Sequence, residues 1–322
     1  MNFLYVMDPI ERVDVTKDTT FVFMAESQAR GHANYYCGIR DLVVDGGKLV
    51  ASTMPIEVKP LQGQHFKLGK RRYSAAEDFE CIFMRKDPPF DSDFFFSTHL
   101  LSLVDKRKTF VFNDPRGLRE ATEKLFILHF PDLIPETFVA SDPAQILGFC
   151  AKVGGDIVVK PLDGCGGANV FRVRSGDLNT HPILEMMTRE GSRPVMAQRF
   201  LPDSRRGDLR LIYLDGKALG AVLRVPKEDD LRGNIHVGGT CVAVKVGARE
   251  REICDAVAPA LDTLGIYFAG LDIIGGCLTE ANVTSPTGVQ EVNRLDGVRL
   301  ETQVIDFVEK KCAKLDRPSG RG

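Results

Sequence analysis

Apolar and polar positions in the first third of the chain alternate in two rhythms. Phe3-Leu4-Tyr5-Val6-Met7 is a short unbroken apolar run, the pattern of a buried strand. From about Thr19 to Arg30 the spacing becomes helical, with Asp18 as N-cap and Gly31 as the stop. Asn34–Cys37 reads as a second strand, and Leu42–Val44 and Lys48–Ser52 flank Asp45-Gly46-Gly47 as a hairpin. A buried strand at Cys81–Met84 precedes a helix near Phe94–Lys106, and Thr109–Phe112 is a further strand. This β/α alternation predicts a small parallel or mixed sheet covered by helices.

The rhythm changes near Asn113-Asp114-Pro115. Two helical stretches follow, broken near Phe130-Pro131. From Asp156 onward short strands dominate: Asp156–Lys160, Asn169–Arg174, Val195–Phe200, Leu209–Leu214 and Lys217–Arg224. Helices near Ile183–Arg189 and Glu250–Leu264 interrupt them, and another covers about Glu301–Lys311. The stretch from Pro226 to Thr240 is polar, contains glycine and is long for a connector, a pattern shared by lids and disordered links. The polar, Pro/Gly-containing residues 316–322 predict a frayed tail.

Composition narrows the options. A chain of 322 residues is long enough for two or three domains with their own cores. A net charge of -2 argues against a nucleic-acid partner. No apolar run approaches the roughly 20 residues of a membrane helix, so no membrane partner is expected. The first residues form a strand-like run without a basic leader, so no signal peptide is expected. The 8 cysteines are scattered with no C-x-x-C pair, which predicts that most are small buried side chains in a reducing cytoplasm.

Candidate chemistry concentrates near the C-terminal end. In Leu271-Asp272-Ile273-Ile274 and Leu278-Thr279-Glu280-Ala281-Asn282, apolar residues alternate with oxygen-bearing ones across a reversal at Gly275-Gly276. Residues two apart on a strand share a face, so Glu280 and Asn282 project together and the reversal brings Asp272 to them. Three oxygen donors without a basic residue between them suit Mg²⁺; a solvated hairpin edge is the alternative. Lys160 ends the apolar strand Ile157-Val158-Val159, and Asp163-Gly164-Cys165-Gly166-Gly167-Ala168 follows it. This loop lacks the G-K-[ST] ending of a Walker A motif; it is either a ligand-covering loop or a glycine-rich turn. Lys124 lies in a helical pattern, where a solvated charge is the plain alternative; with Lys160 it could neutralise phosphates. Gln198 and Leu201 lie on a strand ending at Pro202, which could offer groups to an adenine edge. Asp208 and Arg210 share a face, and Arg224 ends the returning strand, so an Asp–Arg cross-strand pair is also open. Met84-Arg85-Lys86-Asp87-Pro88-Pro89-Phe90-Asp91 follows a buried strand, where Arg85 could grip a carboxylate.

These motifs, with Met7-Asp8-Pro9-Ile10, Glu123-Lys124-Leu125-Phe126, Lys160-Pro161-Leu162-Asp163-Gly164 and Val283-Thr284-Ser285-Pro286-Thr287, occur in a set order. Over roughly residues 3 to 310 the sequence resembles the ATP-grasp ligases and, within them, the bacterial glutathione synthetases. The resemblance implies an α/β (α+β) ATP-grasp fold with an N-terminal Rossmann-like (pre-ATP-grasp) α/β domain. The implied division is residues 1–121 for substrate, 122–202 as a central lid domain, 203–315 with the metal site, and a tail at 316–322. It further implies that ATP contacts Lys124, Lys160, Asp163, Gly164, Gly166, Gly167, Gln198, Leu201 and Asp208. Asp272, Glu280 and Asn282 would hold two Mg²⁺ ions, with Mn²⁺ possible. Arg85, Arg210, Arg232, Asn234, Gly238, Gly239, Ser285 and Thr287 would bind substrate, and Arg210, Arg224 and Arg232 would act in catalysis. The loop 226–240 would close over the reacting groups.

The implied reaction ligates glycine to the cysteine carboxylate of γ-glutamylcysteine through an acyl phosphate, in a cytoplasmic homotetramer. Another ATP-grasp ligase with a different amine acceptor, or a non-catalytic nucleotide-binding module, are the alternatives. Cys165 departs from the apolar residue, often Met, expected in the glycine loop.

Overall fold

The computed structural model describes residues 1–227 and 238–316. Its first sheet is built from β1 (Asn2–Met7), β2 (Ala33–Cys37), β3 (Leu42–Asp45), β4 (Lys48–Val58), β5 (Phe66–Leu68), β6 (Arg72–Ala75), β7 (Cys81–Arg85) and β8 (Phe110–Phe112), interspersed with helices α1 (Thr19–Ala29), α2 (Ser92–Leu101) and α3 (Pro115–Glu120). The strand order is β3-β4-β2-β1-β7-β8. Its centre, β2-β1-β7-β8, is parallel, as the buried apolar runs require, and β4 closes one side antiparallel. The Asp18 carboxylate caps α1 by accepting from the Phe21 amide at 2.6 Å, as its position predicts. Helix α2 starts two residues before the expected Phe94 and ends at Leu101, because Asp91 caps it and the chain turns at Ser102.

Residues 122–130 are not an α-helix. After α3 the chain makes turns and a short 3₁₀ segment, Phe126–His129. Strand β9 (Thr137–Ala140) and helix α4 (Pro143–Lys152) follow, where sequence pattern suggested only a second helical stretch. Then come β10 (Asp156–Pro161), β11 (Phe171–Arg174), α5 (Thr180–Thr188) and β12 (Val195–Arg199), giving an antiparallel sheet ordered β11-β10-β12-β9. The third sheet contains β13 (Asp208–Leu214), β14 (Lys217–Val225), β15 (Thr240–Ala243), β16 (Phe268–Ile274) and β17 (Cys277–Asn282), with α6 (Ala248–Thr263) inserted before β16. It is antiparallel and ordered β15-β14-β13-β16-β17, and α7 (Val289–Asp296) and α8 (Leu300–Cys312) complete the chain.

Two apolar clusters run through both ends of the chain. One joins Leu4, Ile82 and Leu118 to Leu211, Leu271 and Leu278; the other joins Phe3, Phe83 and Phe112 to Phe268, Val292 and Val304. The central sheet instead packs α4 and α5 onto its own core, with Ile146, Ile157, Val159 and Leu184. Asn113 binds the first sheet to the third: Nδ2 donates to the carbonyls of Phe268 and Val283, and Oδ1 accepts from the amides of Tyr267 and Phe268. Both donors and both acceptor lone pairs of this buried amide are thereby used.

Candidate active site

The predicted reversal at Gly275-Gly276 is present, both residues at positive φ of 55° and 75°. It pairs Asp272 with Glu280 and Gly270 with Asn282 across β16 and β17. The Asn282 Nδ2 donates to Asp272 Oδ2 at 3.1 Å and to the Gly270 carbonyl at 3.2 Å. Thus the three oxygen-bearing side chains share one face, as the period of two requires.

The structure adds what the local pattern could not. Arg210 is the direct partner of Asp272 across β13 and β16. Its Nε donates to Oδ1 at 2.5 Å and its Nη2 to Oδ2 at 2.9 Å, a bidentate pair. Arg224, opposite Asp208 across β13 and β14, reaches Asp208 at 2.5 Å and Asp272 at 2.9 Å through Nη2. Burial would push the Asp272 carboxyl up, but the two guanidiniums overcome it and hold it down to about 2. At Asp208 burial wins, and its carboxyl is pushed up to about 6 against the pull of Arg224. Gly270 is needed here by close approach, since a Cβ would lie 2.8 Å from Arg210 Cδ.

Lys124 reaches this face from the connector that follows α3. The connector runs along the free edge of β17: the Leu278 amide donates to the Leu133 carbonyl and the Ala281 amide to the Glu123 carbonyl. Lys124 Nζ then lies 2.9 Å from Glu280 Oε1 and also donates to the Gly164 carbonyl. It is buried rather than solvated. Burial opposes its charge, yet Glu280 raises its affinity for a proton. The neighbouring Glu123, sealed in by Thr284, is pushed up to about 6 by burial and by Glu280. Lys160 Nζ donates to the Thr279 carbonyl at 3.0 Å. Its burial outweighs the attraction of Glu280 and lowers it to about 8.

One cavity lies between the second and third sheets. Lys124, Lys160, Gly164, Gly166, Gly167, Gln198, Leu201, Asp208, Asp272 and Glu280 line it. Gly166 and Gly167 both have positive φ, 61° and 79°, which turns the β10–β11 loop over the opening. Gln198 is buried on β12 and donates to Thr137 Oγ1. Asp163 stands apart; its carboxylate pairs with Arg193 outside this cavity. Arg172, which lies 3.5 Å from the centroid of the Phe200 ring, was missed because nothing in the local pattern separates it from a strand-surface arginine.

A second cavity adjoins it, lined by Arg85, Arg210, Arg224, Asn282, Ser285 and Thr287, and on the first-domain side by Asp14, Lys17 and Asp18. Arg85 is fixed by Thr20 and the Pro286 carbonyl, and its guanidinium lies against both the Phe23 and Phe268 rings. Burial lowers it to about 10. Glu280, Cys165 and Gly166 line both cavities, so the two meet at Glu280. Gly238 and Gly239 precede β15 and line neither. Arg232 and Asn234, and most of the expected covering loop, lie outside the described residues. Among the described residues no group of three His, Cys, Asp or Glu side chains is placed to hold a metal; the array is two carboxylates and one amide.

Two antiparallel sheets facing one another across buried lysines, a glycine-rich turn and a carboxylate array define an ATP-grasp ligase. Solved structures agree on the fold: an ATP-grasp ligase, PsnB, complexed with minimal precursor, Mg and ADP has a TM-score of 0.62 at 18% identity, covering 97% of this chain and 98% of that one. The D-cycloserine synthetase DcsG has a TM-score of 0.65 at 16% identity, covering 95% of this chain and 99% of that one. Sequence is more specific. The model of the prokaryotic glutathione synthetase N-terminal domain matches residues 1–119, and that of the prokaryotic glutathione synthetase ATP-grasp domain matches residues 123–297. The glutathione synthetase of Synechococcus elongatus is 42% identical over 318 residues, 96% of this chain and 98% of its own. That of Brucella melitensis is 42% identical over 305 residues, 95% of this chain and 97% of its own. The chain belongs to the prokaryotic glutathione synthetase family, whose ATP-grasp ligases use ATP and magnesium.

Proposed function

We propose that this chain ligates glycine to the cysteine carboxylate of γ-glutamylcysteine at the junction of the two cavities. The observation that carries this reading is that Glu280 faces both, so a phosphate chain in one and a carboxylate in the other meet there. Lys124 and Lys160 offset the charge of the polyphosphate, the 163–168 loop covers it, and Gln198 and Leu201 meet the base. Asp208 Oδ1, buried and without a hydrogen-bond partner among the described residues, suits a ribose hydroxyl. Arg85, Arg210, Ser285 and Thr287 serve the carboxylates of the peptide.

The γ-phosphoryl of ATP passes to the cysteine carboxylate, ADP leaves, and the acyl phosphate is attacked by the glycine amine, releasing phosphate. Arg210 and Arg224 steady the charge that moves. No side chain needs to become covalently attached, so positioning and charge compensation are the protein's work. Asp272, Glu280 and Asn282 would hold Mg²⁺ through hard oxygen donors, and the ion would supply charge compensation for the phosphates. Because two guanidiniums already balance Asp272, this array favours a cation that arrives with ATP over a free one.

In this reading residues 122–202 form the moving cover, and 1–121 and 203–315 the base. The free thiols of all 8 cysteines fit a reducing cytoplasm, and no helix of the described residues is long and apolar enough to cross a membrane.

The decisive assay measures phosphate release and product mass with ATP, Mg²⁺, γ-glutamylcysteine and glycine. Glutathione forms, and glutamate in place of glycine gives little product; equal rates with glutamate would remove the glycine assignment. A second expectation concerns pH. Free Lys160 loses its proton near pH 8, whereas a polyphosphate favours its charged form. ATP binding therefore takes up a proton above that pH, and its affinity falls by about tenfold per pH unit. Calorimetry in two buffers of different ionisation enthalpy reads the uptake. Affinity that stays constant from about pH 7 to about pH 9.5 would separate Lys160 from the phosphates.

A further inference from the structure

The acyl donor proposed above carries a free ammonium next to the terminal carboxylate of its γ-glutamyl end. The groups so far assigned to its cavity are guanidiniums and hydroxyls, which suit carboxylates and leave the ammonium unmatched. Glu291 is placed to match it. It lies in the first turn of α7, is only 2% exposed, and lines the same cavity as Arg85, Ser285 and Thr287. Its Oε2 has no hydrogen-bond partner among the described residues. Burial pushes this carboxyl up; a hydrogen bond from its own backbone amide and the charges of Arg294, Lys17 and Arg210 offset that only in part.

A buried carboxylate oxygen without a donor is unfavourable unless a ligand supplies one. The neighbouring Gln290 Nε2 donates to the Asp18 carbonyl at 2.5 Å, which ties the start of α7 to the loop leading into α1. Asp18 itself also lines the cavity, but its Oδ1 is engaged in capping α1. Among the described residues Glu291 Oε2 is the one fully buried carboxylate oxygen lining this cavity that has no hydrogen-bond partner.

We propose that Glu291 Oε2 accepts a charge-assisted hydrogen bond from the α-ammonium of the γ-glutamyl group, while Arg85 serves the adjacent carboxylate. This zwitterion reading makes Glu291 a specificity-determining residue for the acyl donor, and it rests on the donor assigned under the proposed function.

The test is a substrate–residue cycle. γ-Glutamylcysteine and glutarylcysteine, which differs only in lacking the amino group, are compared as donors for the parent enzyme and for Glu291→Gln, Glu291→Asp. The parent binds glutarylcysteine about 10-fold to 100-fold more weakly. In Glu291→Gln that discrimination collapses to within about threefold, and Glu291→Asp retains part of it. KM for ATP and glycine stays near the parent value in both variants. Equal discrimination by parent and Glu291→Gln overturns the proposal even if the variant is weaker overall, since general damage weakens both donors alike. A shift confined to the KM of glycine also overturns it. If the parent fails to use γ-glutamylcysteine at all, the functional reading fails and takes this inference with it; if the parent turns over normally and the cycle shows no coupling, only Glu291 is reassigned.

Discussion

Glu280→Gln lowers kcat by at least about a thousandfold while the protein stays folded. The substitution keeps the size of the side chain and removes the charge at the point where the two cavities meet. It removes the carboxylate that holds Lys124 at 2.9 Å and, on the proposed reading, a ligand for the cation. Stability changes little, because two effects oppose one another. The ion pair with Lys124 is lost, but so is the repulsion from Glu280 that helps keep the Glu123 carboxyl raised to about 6. The expected loss is below about 2 kcal/mol, read from the denaturant midpoint beside the turnover assay. Activity within a few-fold of the parent at ordinary Mg²⁺ would remove Glu280 from the metal set.

Asp272→Ala has a different signature, and the contrast separates the two acids. Here both activity and stability fall. Asp272 is buried between Arg210 and Arg224, and both guanidiniums are themselves almost fully enclosed. Arg224 would keep Asp208, and Arg210 would keep only the Thr287 carbonyl at 3.2 Å. Removing one member of such a buried group leaves an unmatched charge, at a cost of about 3–5 kcal/mol. The unfolding midpoint in urea should therefore drop well below that of Glu280→Gln. An Asp272→Ala protein as stable as its parent would mean that the arginines find other partners.

Much of this site was legible because strands write it in a period of two. Asp272, Glu280 and Asn282 were readable as one face, and the Gly275-Gly276 reversal fixed their approach. Arg85 was readable as the end of a buried strand, and Asp18 as a cap. What could not be read lies in pairings between distant segments. The bidentate grip of Arg210 on Asp272 joins residues 62 apart, and nothing local announces it. Lys124 was expected on a helix because Arg119-Glu120-Ala121-Thr122-Glu123 has helical composition; hydrogen bonds to the β17 edge claim the backbone instead. Strand β9 was passed over because its four residues are only half-buried and show no clean alternation. Asp163 was read with its loop, and its partner Arg193 lies 30 residues away. Glu291 gave no signal at all, since α7 itself was not foreseen.

The aromatic seam between the first and third sheets constrains how such a chain can be recombined. Phe112 stacks on Phe268 with ring centroids 6.0 Å apart, and Asn113 stitches the backbone on either side. A fragment cut at residue 121 would expose half of each shared core to water and is not expected to fold alone. A graft of the first 121 residues from a relative would succeed only if it brought matching rings to that seam. The central sheet, whose apolar residues face one another, is the exchangeable module: in a chimaera it could be replaced between residues 137 and 199 with its core intact.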